Sequence, residues 1–377
     1  MNIGVVTYSL SERSGARAPI RLAQHFRRKG HEVTIYAFDF GLDQNLFQSL
    51  KKEKIDLVIY KVNKSKFSPF PLRGFFSILK ASQDFRKATH KVISFHSTFP
   101  LLLAAKLSGK RILTTYYGME LSYAHIRETA GLPLTLSFLG RLISQLRDRG
   151  LIWLQKVSFS MSDEVVAISK YLAKDAQTLF DYKPDVIYLG AESEFFKENK
   201  NHVDQNFLLS VSRLVPYKGF DILIQAFTNI SEQLPGLELM IVGSVAKKDY
   251  LEKLKALSNT KVTIKNNLTD QQLSEMYAKC SVYVICDLWA PWSLTLLEAS
   301  FFGKPLLGLD VGAISEIIVE NGNGLLAKDP KDLEEKIALL MNDSSLRARL
   351  GEKAKEKVKT FTWEKTIENY EKKIRSL

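Results

Sequence analysis

Short apolar runs recur along the first half of the chain, each followed by a stretch whose apolar residues repeat at helical spacing. Asn2–Thr7, Val33–Ala37, Leu57–Tyr60, Lys91–Phe95, Arg111–Thr115, Glu164–Ile168 and Asp185–Tyr188 read as strands. The first helical pattern, Ala18 to Lys29, stops at Gly30, the residue type that best accepts the left-handed turn after a helix. Over 197–206 the composition turns polar, which reads as an interdomain linker. The alternation then restarts, with strands at Phe207–Ser212, Leu237–Val242, Lys261–Ile264, Ser281–Ile285 and Lys304–Gly308. Helical patterns lie between them, near Phe220–Ile230, Asp249–Leu257, Asp270–Ala278 and Leu294–Phe302. From Pro330 onward, Lys, Glu and Leu at helical spacing predict two or three more helices. Strands separated by helices in this way predict α/β architecture with parallel, doubly wound sheets. Two Rossmann-like domains are expected, residues 1–196 and 207–355, facing each other, with a helical tail at 356–377 that is a candidate to cross back. Ligands of such sheets bind beyond the carboxyl ends of the strands, so the cleft is the expected site.

Bulk properties refine this reading. A chain of 377 residues suits two cores better than one. No stretch reaches the ~20 apolar residues of a membrane-spanning helix, and the first strand has no basic leader before it. Cys280 and Cys286 form no metal or redox spacing and read as core residues in a reducing compartment, so a cytoplasmic location is expected. The net charge of +12 is uneven: Lys51 to Arg111 holds 14 Lys/Arg against 3 Asp/Glu. Phe67, Phe70, Phe75, Phe76 and Phe85 are interleaved there. The segment is either a solvated basic face over core aromatics or a surface for an anionic membrane. No DNA or RNA signature is present, so no nucleic-acid partner is expected. The Leu-rich stretch from Leu132 to Phe159, with Arg141, Arg147, Arg149 and Lys156, suits a membrane-interface helix or a core-facing one.

Two loops carry the chemistry. Ser212 to Phe220 follows the first strand of the second half, and a helix opens near Gly219. Arg213 and Lys218, five residues apart, can converge on one anion there, aided by the N–H groups of the helix end. A second loop, Ala290 to Ala299, joins an apolar strand to a helix starting near Ser293. Ser293, Leu294 and Thr295 would present backbone donors to an anion. Glu298, one turn in, is either an ordinary helix carboxylate or an acceptor for ribose or sugar hydroxyls. Trp289 and Trp292 bracket Ala290 and form either an apolar wall for a sugar face or the filled edge of the cleft.

These segments resemble the group 1 (retaining, GT-B fold) nucleotide-sugar glycosyltransferases, almost end to end. The family's S-x-x-R-L-x-x-x-K-G motif corresponds to Ser210 to Gly219, with Arg213 and Lys218 on the donor diphosphate. Its E-P-F-G-x-x-x-x-E signature corresponds to Ala290 to Glu298, with Ala290 replacing the first glutamate. Gly312 to Glu316 matches the G-G-x-x-E loop with one glycine, and Val186 to Glu192 is a degraded V-I-P-N-G-V-D. Ser14 to Arg17 matches the N-terminal glycine-rich loop, where Gly15 would let backbone approach the phosphate. The histidine of T-x-H-G is Tyr117, and His96 is the histidine retained from H-x-H.

The resemblance implies front-face transfer of a hexosyl-type group from a nucleotide-diphospho-sugar, with no cofactor and no metal. It implies Arg213 and Lys218 as the diphosphate cations and Glu298 on the ribose, with Arg213, Lys218 and His96 as catalytic residues and His96 on the acceptor side with Tyr117. With the basic first half it suggests a lipid-linked or polysaccharide acceptor, and a peripheral location at the inner face of the cell membrane. Ala290 implies altered sugar recognition, with Asp287 as a substitute carboxylate, or else a degenerate binding or partner subunit.

Overall fold

The computed structural model describes residues 1–11, 17–39, 42–60, 70–96, 99–119, 138–191, 204–266 and 268–377. By contact the chain divides into two units. One holds Met1–Glu120, Leu146–Leu189 and Trp363–Leu377, the other Leu121–Gln145 and Gly190–Thr362.

The first half runs β1 (Asn2–Ser9), α1 (Arg17–Arg28), β2 (Glu32–Phe38), α2 (Gln44–Lys52), β3 (Asp56–Tyr60), α3 (Phe70–Lys87), β4 (Val92–His96), α4 (Phe99–Leu107), β5 (Arg111–Tyr116), α5 (Phe138–Met161), β6 (Glu164–Ala167), α6 (Lys170–Phe180) and β7 (Asp185–Val186). Its seven strands form one parallel sheet in the order β3-β2-β1-β4-β5-β6-β7. The order reverses between β1 and β4, which is where doubly wound sheets open a crevice. Every residue of β4 is buried, Ser94 and His96 included, so the strand shows no alternation of buried and exposed positions. Phe85, counted above among the interleaved aromatics, is a core residue: it is fully buried and meets Tyr36 edge-on at 5 Å scale, 4.7 Å between centroids. Phe67 lies outside the described residues, as does Gly15, and the side chains of Phe70, Phe75 and Phe76 are likewise undescribed. Of the Leu-rich stretch, the described part is a single 24-residue helix, α5.

The second half runs β8 (Phe207–Val211), a 3₁₀ turn at Pro216–Lys218, α7 (Phe220–Ile230), β9 (Glu238–Val242), α8 (Lys248–Leu257), β10 (Val262–Lys265), α9 (Asp270–Lys279), β11 (Val282–Ile285), α10 (Leu294–Phe301), β12 (Leu306–Leu309), α11 (Ile314–Ile317), β13 (Gly324–Ala327), α12 (Pro330–Asn342), α13 (Ser344–Val358) and α14 (Trp363–Ser376). Its parallel sheet has the order β10-β9-β8-β11-β12-β13, reversing between β8 and β11. Both of those strands are wholly buried. Helix starts are capped as the sequence chemistry dictates: Thr269 and Gln272 make a capping box on α9, and Asp329 precedes Pro330 at the start of α12. Of the expected linker, residues 204–206 are described and held in the second unit, with Gln205 N donating to Lys279 O at 2.7 Å.

The last helix completes the first unit. Tyr370 meets Phe26 of α1 edge-on, and its hydroxyl hydrogen-bonds Thr115 of β5 at 2.8 Å. Glu371 takes His31 at 2.6 Å and Lys29 at 3.1 Å. Although burial pushes the Glu371 carboxyl up, these two partners hold it below its ordinary value.

Candidate active site on the carboxyl ends of the second sheet

β8 and β11 are neighbours at the switch point, so the loops that leave them lie side by side. The loop after β8 carries Arg213 and Lys218, and the loop after β11 carries Asp287 through Ser293. Backbone locks the two together, with Leu288 N donating to Tyr217 O at 2.8 Å. Gly219 sits at φ 62°, and a Cβ there would come within 2.0 Å of Cys286 O, so only glycine fits. Gly312, in the loop after β12, is pressed the same way onto Ala290 O, which accepts a 2.7 Å hydrogen bond from Ala313 N. Three neighbouring strand ends are thereby packed backbone to backbone.

The two cations flank one ring. Arg213 donates to the Tyr217 hydroxyl, and both Arg213 and Lys218 approach the Tyr217 ring, at 6.0 and 5.4 Å from its centroid. Lys218 Nζ is paired with the carboxylate of Asp287, a contact the sequence did not reveal. Asp287 is 1% exposed. Burial pushes its carboxyl above the ordinary value, against the pull of Lys218 and Arg213. Ser293 caps α10, its Oγ accepting from Leu296 N and lying 3.2 Å from Thr295 Oγ1; Leu294 is the first helical residue. Glu298 is buried on the same helix and accepts a 2.7 Å hydrogen bond from Tyr277 of α9. Trp292 packs edge-on against Phe361, and Trp289 against Tyr217. Both cysteines are buried, as expected for core packing.

In the first unit, His96 ends β4 and Tyr117 follows β5. The structure brings them together: His96 Nδ1 lies 2.8 Å from the Tyr117 hydroxyl, and Nε2 lies 2.7 Å from Ser94 Oγ. Burial drives the imidazole down to about 3, so at neutral pH it is an uncharged hydrogen-bonding group and not a charged acid. A groove of about 930 Å³ lined by Asn2, Glu32, Asp56 and His90 lies at the amino ends of the same strands. That is the opposite edge from the ends where such sheets take ligands, and it is assigned no role. Among the described residues no group of three or more His, Cys, Asp or Glu is placed to hold a metal ion.

Two parallel Rossmann-like units and a C-terminal helical tail define the GT-B glycosyltransferase architecture. Sequence similarity supports a group 1 glycosyltransferase: residues 191–357 match the model "Glycosyl transferases group 1" and residues 16–195 match "Glycosyltransferase Family 4". An uncharacterised glycosyltransferase of Methanocaldococcus jannaschii is 32% identical over 215 residues, which are 56% of this chain and 59% of that protein. The chain thus matches less than two thirds of that relative's length. Anabaena HepE, solved with UDP and glucose, superposes with a TM-score of 0.76 over 100% of both chains at 18% identity. The lipopolysaccharide outer core galactosyltransferase WaaB superposes with a TM-score of 0.69 over 100% of this chain and 99% of that one, at 15% identity.

Proposed function

We propose that the protein transfers a sugar, with retention, from a nucleotide-diphospho-sugar to a lipid-linked or polysaccharide acceptor at a membrane surface. The observation that carries the donor half is the placement of Arg213, Lys218 and Glu298 on loops and a helix that leave adjacent central strands. Arg213 and Lys218 neutralise the departing diphosphate where its charge develops. The capped start of α10, at Ser293 to Thr295, adds a helix N-terminus. Glu298 accepts the ribose hydroxyls. These groups stabilise the leaving group without a metal. Retention follows the family resemblance. His96 and Tyr117, uncharged and hydrogen-bonded to each other, serve the acceptor side.

Support for the membrane half comes from α5. Leu142, Ile143, Leu146, Trp153 and Leu154 are exposed on it. At about 100° per residue these five fall within an arc of about 120°. Arg149 and Lys156 flank one edge of the arc and Arg147 the other, whereas Asp148 and Phe159 lie on the far side and are buried. A Cβ on Gly150, inside the arc, would meet nothing within 4 Å. An apolar stripe with an aromatic residue and cationic borders suits the headgroup region of an anionic bilayer. No helix among the described residues is long and apolar enough to cross a membrane.

The donor reading is tested by thermal melts with UDP-, GDP- and ADP-sugars, since a ligand of the native state raises its stability with occupancy. One class of nucleotide-sugar is expected to raise the melting temperature. No shift with any of them at millimolar concentration removes the reading.

A further inference from the structure

We propose that Asp287 is the resting counter-ion of Lys218, and that the donor's diphosphate displaces it, leaving the carboxylate to take a proton from solvent. This rests on the reading of Lys218 as a diphosphate contact and deepens it.

Asp287 lies two residues past β11 and is 1% exposed, and among the described residues Lys218 is its hydrogen-bonding partner. The charged groups that act on it are Lys218 and Arg213, the same two cations assigned to the donor. Its own strand end contributes Cys286 and Tyr283, both uncharged, since burial pushes each well above its ordinary value. Asp221, in the first turn of α7, is a nearby acid, but it is engaged by Tyr250 at 2.9 Å and Lys253 at 2.7 Å. Every positive charge that supports the Asp287 carboxylate therefore belongs to the phosphate loop.

A bound nucleotide-diphospho-sugar places two negative charges against those cations. Asp287 has no route into water, because its loop is tied to Tyr217 O through Leu288 N and pressed onto Gly219 at Cys286 O. A buried carboxylate that loses its cation is neutralised by protonation. One proton is gained from solvent, no other bond changes, and the neutral acid can then donate a hydrogen bond to the ligand. Donor affinity accordingly rises as pH falls. Each phosphate of a nucleotide-sugar carries one ester and one anhydride bond and keeps its single charge through this range. A terminal phosphate, with its ionisation near about 6, would add a titration of its own.

The experiment is isothermal titration calorimetry of the full chain with whichever of UDP-glucose, GDP-mannose or ADP-glucose raises its melting temperature most. It is run near neutral pH in buffers of different ionisation enthalpy. Uptake of close to one proton per ligand is expected for the wild type. The near-isosteric Asp287→Asn is expected to take up none and to bind about tenfold tighter, having no anion to displace. Identical heats in every buffer for the wild type overturn the proposal without need of a variant. Weaker binding by Asp287→Asn overturns it too, and makes Asp287 a direct contact of the sugar. If a nucleotide-sugar binds, needs Lys218 and brings no proton, the counter-ion role falls alone. If none binds, the donor reading falls with it.

Discussion

Lys218 and Arg213 are both donor cations in the proposed chemistry, yet their removal has unlike costs. Each alanine variant is expected to weaken nucleotide-diphosphate binding by roughly 1.5–3 kcal/mol, the range for a charge-assisted hydrogen bond. Lys218→Ala also strands the buried Asp287 carboxylate, and breaking a buried pair from one side costs about 3–5 kcal/mol of stability. Arg213 donates to the neutral Tyr217 hydroxyl, so Arg213→Ala leaves no buried charge behind. Urea melts of the two variants should therefore separate clearly. Equal stability would refute the account of Asp287. Ala290 is the other informative position. It is 1% exposed, with its carbonyl bound to Ala313 N and Gly312 flush against it. Ala290→Glu is expected to lower kcat/KM on the native donor at least about tenfold, because a new carboxylate would enter a site built without partners for it. Turnover by Ala290→Glu and none by the wild type would mark the natural protein as a degenerate transferase. The placement of Arg213, Lys218, Ser293 and Glu298 after β8 and β11 is legible in the sequence, because residue type and strand-to-helix position fix it locally. The Lys218–Asp287 pair was not, since it joins residues 69 apart that only the adjacency of β8 and β11 brings together.

Among elements, the interior strands were the easiest to read. Strands buried on both faces leave a largely apolar run in the sequence, unbroken in β11 and interrupted only by Ser210 in β8. No strand is expected over β13, whose Gly-Leu-Leu-Ala sequence holds no β-branched or aromatic residue and opens on Gly324. No helix is expected over α3, where Pro71 and Gly74 are poor helix formers, although Pro is tolerated in the first turn of a helix. For α5 the sequence supports a membrane-interface helix and a core-facing one equally. Its exposed stripe makes an experiment on full-length protein direct. Co-sedimentation with phosphatidylglycerol-containing vesicles is expected, weakening with salt. Leu146→Glu or Trp153→Glu should lower the partition about tenfold while leaving the melting temperature unchanged. Partition unaffected by either change would place the membrane contact elsewhere, and none at low salt would remove it.

At the scale of the whole molecule, the two sheets share one logic of parallel strands and a central reversal, and their stability should respond to acid in a definable way. His90 and His96 are buried in the first unit, where burial lowers them to about 4 and about 3 from 6.5; for His90 the Lys110 charge adds to this. Native protein holds both neutral while unfolded chains protonate them, so stability falls as pH drops below about 6.5, by roughly 1.4 kcal/mol per unit for each. Glu371 adds to the loss below its ordinary value of 4.5: its depressed carboxyl gives stability that is present above that pH and disappears as the pH falls through the lowered one. Urea midpoints measured from about pH 8 to 4 should decline in that order, and a flat profile between about 7 and 5 would contradict the buried, neutral histidines.

The return of α14 to the first unit also bears on how the chain comes off the ribosome. Phe26, His31 and Thr115 are partnered by Tyr370 and Glu371, which follow the whole of the second unit along the chain. The second unit, contiguous from Gly190 to Thr362 over most of its length, is finished earlier. Domains ordinarily mature in the order of synthesis. Here that order is expected to invert: the half made first lacks its cover along α1 until α14 has been made, by which point all of the second unit is available to fold.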